Sequence, residues 1–502
     1  VTGDETLAPE KAPVLGPCRV IPNEYLNIQS RNIDIDAPKP GIPPHPELLD
    51  AVIRDVTALR DVLEGRVDAA GFADTVAYRG RSRWEQRFAH VPLPAAPEAE
   101  KAAIRRGGVY LITGGFGGVA FELARYLVEG WDVRLVLVGR TPLPPREGWD
   151  AWLESHPEDD AVSERIAKVR ALEAMGAECL VFAADVADMD RMLAIRDAVL
   201  ERFGEINGVF HAASTVSSSM IQVQTDERAQ AVIRTKVHGT LVLEKMLEAT
   251  KPDFLMLFSS LCSYTAPLGF TDYAAACCFM DLHAQAMNGR LPYRIVSVGW
   301  GYWEGIGIGT VLLPKMMETV GEDVAAHGIL AAEGMECISR ILALPDAQVM
   351  VSTSDYPALV EELRRNAKNV LKNYAVFQAK AKVAKRPRLA TPYQAPETDV
   401  ERVIAAVWQE ILGFDSVGVD DAFIELGGDS LHAIPMVSRL ESIFHTKVPI
   451  RTLVTENTVG KLAAFLIATE KKPGQTARIA ELFIKIKMMS ADEIKAMLSR
   501  KG

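Results

Sequence analysis

From Gly108 onward the chain alternates short apolar runs with longer stretches whose apolar residues recur every three or four positions. The runs are residues 109–112, 134–138, 178–183, 208–211, 254–258, 294–298 and 348–352. Short runs that are apolar throughout predict strands covered on both faces, and the periodic stretches between them predict amphipathic helices. That alternation predicts an α/β domain, a doubly wound Rossmann-type parallel sheet with helices on both faces, over 106–365. The segment 141–162, with its prolines, tryptophans and acids, reads as a surface excursion from it.

The flanks follow other patterns. Residues 1–95 mix strand-like runs at 18–22 and 32–35 with a helix at 46–64, whose apolar face is Leu48, Leu49, Val52, Ile53 and Val56. Residues 92–103, rich in Pro and Ala, read as a connector. A basic, proline-punctuated linker at 380–397 leads into 398–470, a small all-α bundle of three helical patterns. The first of these carries Val400, Val403, Ile404, Val407 and Ile411. Two short amphipathic helices are expected over 475–502. One is built on Ile479, Leu482, Phe483 and Ile486; the other is capped by Ser490 and Glu493 and presents Ile494, Met497 and Leu498.

At 502 residues the chain has room for several domains. A net charge of −11 with 48% apolar residues argues against a nucleic-acid binder, and no apolar run is long enough to span a bilayer. Cys18, Cys179, Cys262, Cys277, Cys278 and Cys337 lack metal-ligand spacing, so reduced thiols, a cytoplasmic location and no metal site are expected. The start, VTGDETLAPEKA, lacks an initiator Met and has no signal-peptide shape, which suggests a piece of a larger protein.

Candidate chemistry begins with TGGFGGVA at 113–120, between an apolar run and a helical pattern. Thr113, Gly114, Gly115, Phe116, Gly117 and Gly118 would let main chain approach a pyrophosphate, with free amides at the helix start facing its charge. Arg140 ends the second strand, where an arginine can meet the 2′-phosphate of NADPH; otherwise it is a solvated loop residue. Asp185 and Val186 close the third strand, where an adenine would lie, or else cap a helix. His211 and Ala212 follow the next strand, and His211 reads as structural or cofactor-proximal.

Tyr273 lies thirteen positions after Ser260, and Lys236 precedes both on a helical pattern. A ketone that accepts hydride becomes an alkoxide and needs a proton, which a tyrosine hydroxyl can give as general acid. A lysine beside it lowers the phenol's pKa, and a serine hydroxyl orients the carbonyl oxygen. Far downstream, FIELGGDSLHAI places Ser430 at a predicted helix start, where amide donors and dipole favour a phosphate-linked group such as 4′-phosphopantetheine. Pro435 falls inside that helix, where a kink is expected.

The stretches GGVYLITGGFGGVA, GVFHAA, RTKVHGT, LFSSLCS, DYAAACCFMD and SVGWGYW resemble the short-chain dehydrogenase/reductase superfamily, specifically ketoreductase domains of modular polyketide synthases. GPCRVIPNEYLNI and YRGRSRWEQRF resemble the later part of the structural subdomain that accompanies them, so 1–95 is expected to be a truncated half-Rossmann buttress. Residues 398–470 resemble acyl carrier domains, and 475–502 resemble C-terminal docking helices. The resemblance implies NADPH-dependent reduction of a β-ketoacyl thioester tethered to Ser430, with Tyr273, Lys236 and Ser260 catalytic and Cys277 in the place of a relay member. It also implies condensing and acyl-selecting domains upstream, a downstream subunit met through the tail, a phosphopantetheinyl transferase, and a homodimer within the full synthase. The alternative is a ketoreductase fold retained as a scaffold beside a working carrier. Departures from the family's pattern include Ala120 at the third glycine of the loop, which the fingerprint tolerates, and of the others Cys277 bears on this choice. Cys277 stands where the family has an asparagine that helps a proton relay. Ser214 stands where it often has glycine. Residues 215–219 lack a Leu-Asp-Asp stretch and Thr265 stands in place of a tryptophan, so neither mark of alcohol configuration is present.

Overall fold

The computed structural model describes residues 7–25, 27–35, 46–64, 66, 73–80, 82–93, 103–216, 218–307, 310, 328–366, 384–387, 389–428 and 430–488. It divides into two compact units, one of Val1–Ser218 with Thr225–Lys368 and one of Ser219–Gln224 with Asn369–Gly502.

In the first unit the strands, in chain order, are β1 (Asn32–Ile35), β2 (Thr75–Arg79), β3 (Ser82–Glu85), β4 (Val109–Thr113), β5 (Arg134–Gly139), β6 (Cys179–Ala183), β7 (Gly208–His211), β8 (Phe254–Ser260), β9 (Arg294–Trp300) and β10 (Gln348–Val351). Among the described residues β4 to β10 form one seven-stranded sheet, ordered β10-β9-β8-β7-β4-β5-β6, with every pairing parallel. Every residue of β4 and of β7 is buried, as strands covered by helices on both faces must be. Two apolar layers flank the sheet. Leu123, Leu127, Ile166 and Val169 lie in one, and Val232, Leu243, Met246 and Phe279 in the other. The order reverses between β4 and β7, and ligands of open α/β sheets bind at that switch.

Two expectations need correcting here. Residues 18–22 are not a strand: they lie in the helix Leu15–Glu24, which holds Pro22 near its end. The excursion at 141–162 is not purely superficial, because the helix Trp149–Ser155 sends Trp149 into the apolar layer under β5.

The N-terminal part packs on the helix Thr271–Met287, which carries Tyr273. A Cβ at Gly16 would collide with the main chain of Ala275, so only glycine allows this approach. Arg19, 4% exposed, donates to the Ser263 carbonyl at 2.6 Å, lies 4.3 Å from the Tyr264 ring centroid and pairs with Asp74. Strands β1 and β2 pair in parallel and β2 and β3 antiparallel, a small sheet of their own.

The second unit is helical. Thr398 and Glu401 form a capping box that starts Asp399–Leu412, and Gly413, with φ 73°, ends it. Trp408 is fully buried and stands edge-on to Phe423 at 5.4 Å. The helix Ser430–Phe444 begins at Ser430 and runs through Pro435. The described part of the linker is fastened rather than free. Arg386 grips buried Asp421 with both arms, at 2.6 and 2.8 Å, and Ala384 exchanges main-chain bonds with Gly413 and Asp415. The helix Gln475–Met488 puts Ile479, Ala480 and Phe483 against the same core as Trp408, leaving Leu482 and Ile486 half exposed. The helix expected from Ser490 lies outside the described residues.

Candidate active site

A cavity of about 1270 Å³ opens along the carboxyl ends of the sheet strands in the first unit. At one end it is walled by Thr113, Gly114, Phe116, Gly117 and Gly118, then by Arg140, Asp185, Val186 and Ala212. Gly114 has φ +68°, and a Cβ there would sit 2.7 Å from Ala213 Cα, so the loop turns against the end of β7 only as glycine. Gly117 is the N-cap of Gly118–Trp131, which turns that helix's free amides toward the cavity. Asp185 accepts from the Ala187 amide at 2.9 Å and from Arg234 Nε at 2.8 Å, so it caps a turn and lines the cavity at once.

Gly115 and His211 do not line it. His211 is fully buried, and its Nδ1 lies 2.8 Å from Thr113 Oγ1, which also accepts from the Ala213 amide at 3.3 Å. Burial, then the Lys236 charge, lowers the imidazole to about 3, so it is neutral and ties β4 to β7. Of its two readings, structural or cofactor-proximal, this geometry supports the structural one. Many wall residues were not expected, two of them cationic. Arg165 and Lys168 come from the helix Ala161–Ala174, and Lys168 donates to the Phe116 carbonyl at 3.0 Å, steadying the glycine loop. Their spacing of three, one face of a helix, was the available signal.

At the other end the wall contains Ser260, Tyr273, Lys236, Cys262, Thr265 and Phe270, with Trp300, Tyr302 and Trp303 beyond. Lys236 lies on a single π-turn, Arg234–His238, a local widening frequent at functional sites. Its ammonium is buried, donates to the Phe258 carbonyl at 2.9 Å and stands 5.1 Å from the Tyr273 ring centroid. Burial lowers its pKa, against the pull of Cys277, Asp281 and Cys262. Burial drives the Tyr273 phenol well above its usual range, Cys277 and Cys262 add to that, and the hydroxyls of Ser214 and Ser260 oppose it. Ser260 Oγ also accepts from the Cys262 amide at 3.2 Å.

The three expected catalytic side chains thus converge, while Cys277 does not join them at the wall. It is fully buried, and desolvation pushes its thiol up to about 12 despite Lys236. A thiol is a poorer hydrogen-bond donor and acceptor than the amide of an asparagine.

Residues 108–305 match the model of the KR domain, and residues 402–466 match that of the phosphopantetheine attachment site. The chain joins a KR domain to a phosphopantetheine-attachment domain, and the relatives it resembles over most of its length are mainly polyketide synthases. It is 30% identical over 390 residues to 5-methyl-1-naphthoate synthase of Streptomyces sahachiroi, which covers 76% of this chain and 21% of that protein. It is 27% identical over 457 residues to polyketide synthase PksL of Bacillus subtilis, covering 90% of this chain and 9% of the relative. The 6-methylsalicylic acid synthase of Penicillium expansum is 27% identical over 480 residues, 92% of this chain and 25% of that one. The chain therefore spans a quarter or less of these relatives. Among solved structures, an N-terminal ketoreductase from the macrolactin assembly line aligns at TM-score 0.53 and 25% identity, over 71% of this chain and 63% of that one. A ketoreductase from the first module of phoslactomycin biosynthesis in Streptomyces sp. HK803 shares the fold, with TM-score 0.55 at 23% identity, over 72% and 76%.

Proposed function

We propose that this ketoreductase domain uses NADPH to reduce a β-ketoacyl thioester carried on phosphopantetheine at Ser430, giving the β-hydroxyacyl thioester. The observation that carries the reading is one cavity with a glycine loop and helix start at one end and Tyr273, Ser260 and Lys236 at the other. The residues fit the cofactor. Gly117 and Gly118 bring main-chain amides to a pyrophosphate, and Arg140 makes no ion pair among the described residues and offers its charge to a 2′-phosphate. Asp185 and Val186 flank the adenine position.

When bound, NADPH supplies the hydride. Ser260 holds the ketone oxygen as negative charge develops on it. Tyr273 gives that oxygen its proton, its raised pKa keeping the phenol protonated at neutral pH. Lys236 stabilises the phenolate left behind, across the 5.1 Å to its ring.

The carrier role of Ser430 rests on its place as first residue of a helix within the matched attachment domain. A phosphopantetheinyl transferase would load it, and other synthase domains would supply and take the acyl chain. Leu482 and Ile486 offer an apolar strip on which residues 475–502 could meet a downstream subunit. A homodimeric, cytoplasmic setting completes the proposal. No described helix is long and apolar enough to cross a membrane.

Intact-mass measurement of the carrier region, after transferase treatment, β-ketoacyl loading and NADPH, tests this directly. The loaded species should gain two hydrogens. An unchanged mass in the presence of measured NADPH binding would favour the scaffold, and a Ser430→Ala chain that still takes up the arm would move the tether elsewhere.

A further inference from the structure

The weak point of the catalytic group is Cys277, which leaves Tyr273 without the relay partner the family provides on that helix. Ser214 stands on another element. It follows β7, and its backbone is fixed by two local constraints: the Ala213 amide donates to Thr113 Oγ1 at 3.3 Å, and Gly114 closes on Ala213. Ser214 lines the same cavity as Tyr273 and Ser260. Its Oγ is buried and meets full hydrogen-bond geometry with no group, while with Ser260 it is one of the two hydroxyls that act on the Tyr273 phenol. A buried hydroxyl without a partner is costly and calls for an explanation, which a role in the reaction supplies.

We propose that Ser214 is a positioning residue for Tyr273, its hydroxyl donating to the phenolate oxygen once the phenol has given its proton to the substrate alkoxide. Two serines then serve the reaction from two strand ends: Ser260, the last residue of β8, holds the ketone oxygen, and Ser214, after β7, holds the tyrosine oxygen. No bond to Ser214 is made or broken. Its proton stays on Oγ while the negative charge passes from the alkoxide to the phenol oxygen. The other groups facing that oxygen or its ring are Lys236, Ser260, Cys277, Cys262 and Phe270. Only Lys236 among them is cationic, so Ser214 supplies the neutral donor that the buried thiols do not.

This inference rests on the reductase reading, and the experiment separates the two. NADPH consumption with a short β-ketoacyl thioester is followed for the full chain, for Tyr273→Phe, and for Ser214→Gly and Ser214→Thr. Ser214→Gly should lower kcat roughly tenfold, the worth of one hydrogen bond to a developing charge, with KM unchanged. Ser214→Thr, which keeps the hydroxyl, should restore most of the loss. In parallel, ¹³Cζ-tyrosine spectra of the full chain report the Tyr273 environment without turnover, its signal being assigned by its loss in Tyr273→Phe. That signal should move in Ser214→Gly and return toward its place in Ser214→Thr. If Ser214→Gly leaves both kcat and the Tyr273 signal as in the parent, the proposal is wrong. If parent and Tyr273→Phe consume NADPH alike, the reductase reading falls instead, and the spectra still decide the Ser214–Tyr273 contact.

Discussion

Around Gly117 and Gly118 glycines bring main chain to the cavity wall, with Arg140, Arg165 and Lys168 nearby, whereas around Tyr273 the wall is made of largely buried side chains. The first end works by shape. Its glycines let backbone come close, and a cofactor held by amides is insensitive to most neighbouring substitutions. The second works by displaced titration, with a phenol pushed up, an ammonium pushed down and thiols held neutral by the same desolvation. Shape at one end and solvation at the other means that the two can fail separately, and each failure has its own signature.

The sharpest break is at the desolvated end. Tyr273→Phe should cost roughly 10³-fold in kcat, as loss of a general acid does, while NADPH binding followed by fluorescence stays intact. The same phenol sets the pH dependence. Reduction needs its proton, and its pKa lies above the usual range, so kcat should stay level from neutral pH upward and fall only where the phenol ionises. A fall already at mildly alkaline pH in stopped-flow traces would place the acid elsewhere.

At the shape end, Gly114→Ala should cost about 2–5 kcal/mol, from a left-handed alanine and from crowding against Ala213. Calorimetry would show the lowered melting temperature, together with weaker NADPH binding. The smallest effect belongs to Arg140→Gln, which should raise the KM for NADPH roughly tenfold through a lost charge-assisted contact and leave that for NADH nearly unchanged. Equal changes for both nucleotides would remove Arg140 from the phosphate.

The two ends also differ in how far the sequence exposes them. The glycine loop is contiguous, and Tyr273 and Ser260 are separated by a fixed interval, so both can be read along the chain. Lys236 was legible only beside them, since its place depends on a π-turn that no local pattern announces. Arg165 and Lys168 were missed because the polar run before them reads as surface, although their helix flanks the glycine loop. Residues 18–22 misled through their β-branched pair, Val20 and Ile21; tertiary packing on the Tyr273 helix overrides that local preference. For Ile479 and Phe483, amphipathic spacing announces a face but not what covers it, and the carrier's own core covers it. His211 shows the same limit: a histidine after a strand is visible, whereas its complete burial beneath Thr113 is a fact of three dimensions.

The bare approach of Gly16 to Ala275 bears on how such enzymes can be recombined. The segment bearing Gly16 and Arg19 lies far upstream of residue 108, where the matched reductase domain starts, yet it rests on the helix that aims Tyr273. An exchange of parts made at that boundary would join a foreign brace to a native catalytic helix, and any side chain in place of Gly16 would push Ala275, two residues from the tyrosine. The heritable unit of this reductase therefore includes its brace, and grafts cut upstream of Gly16 should keep the activity that cuts at residue 108 lose.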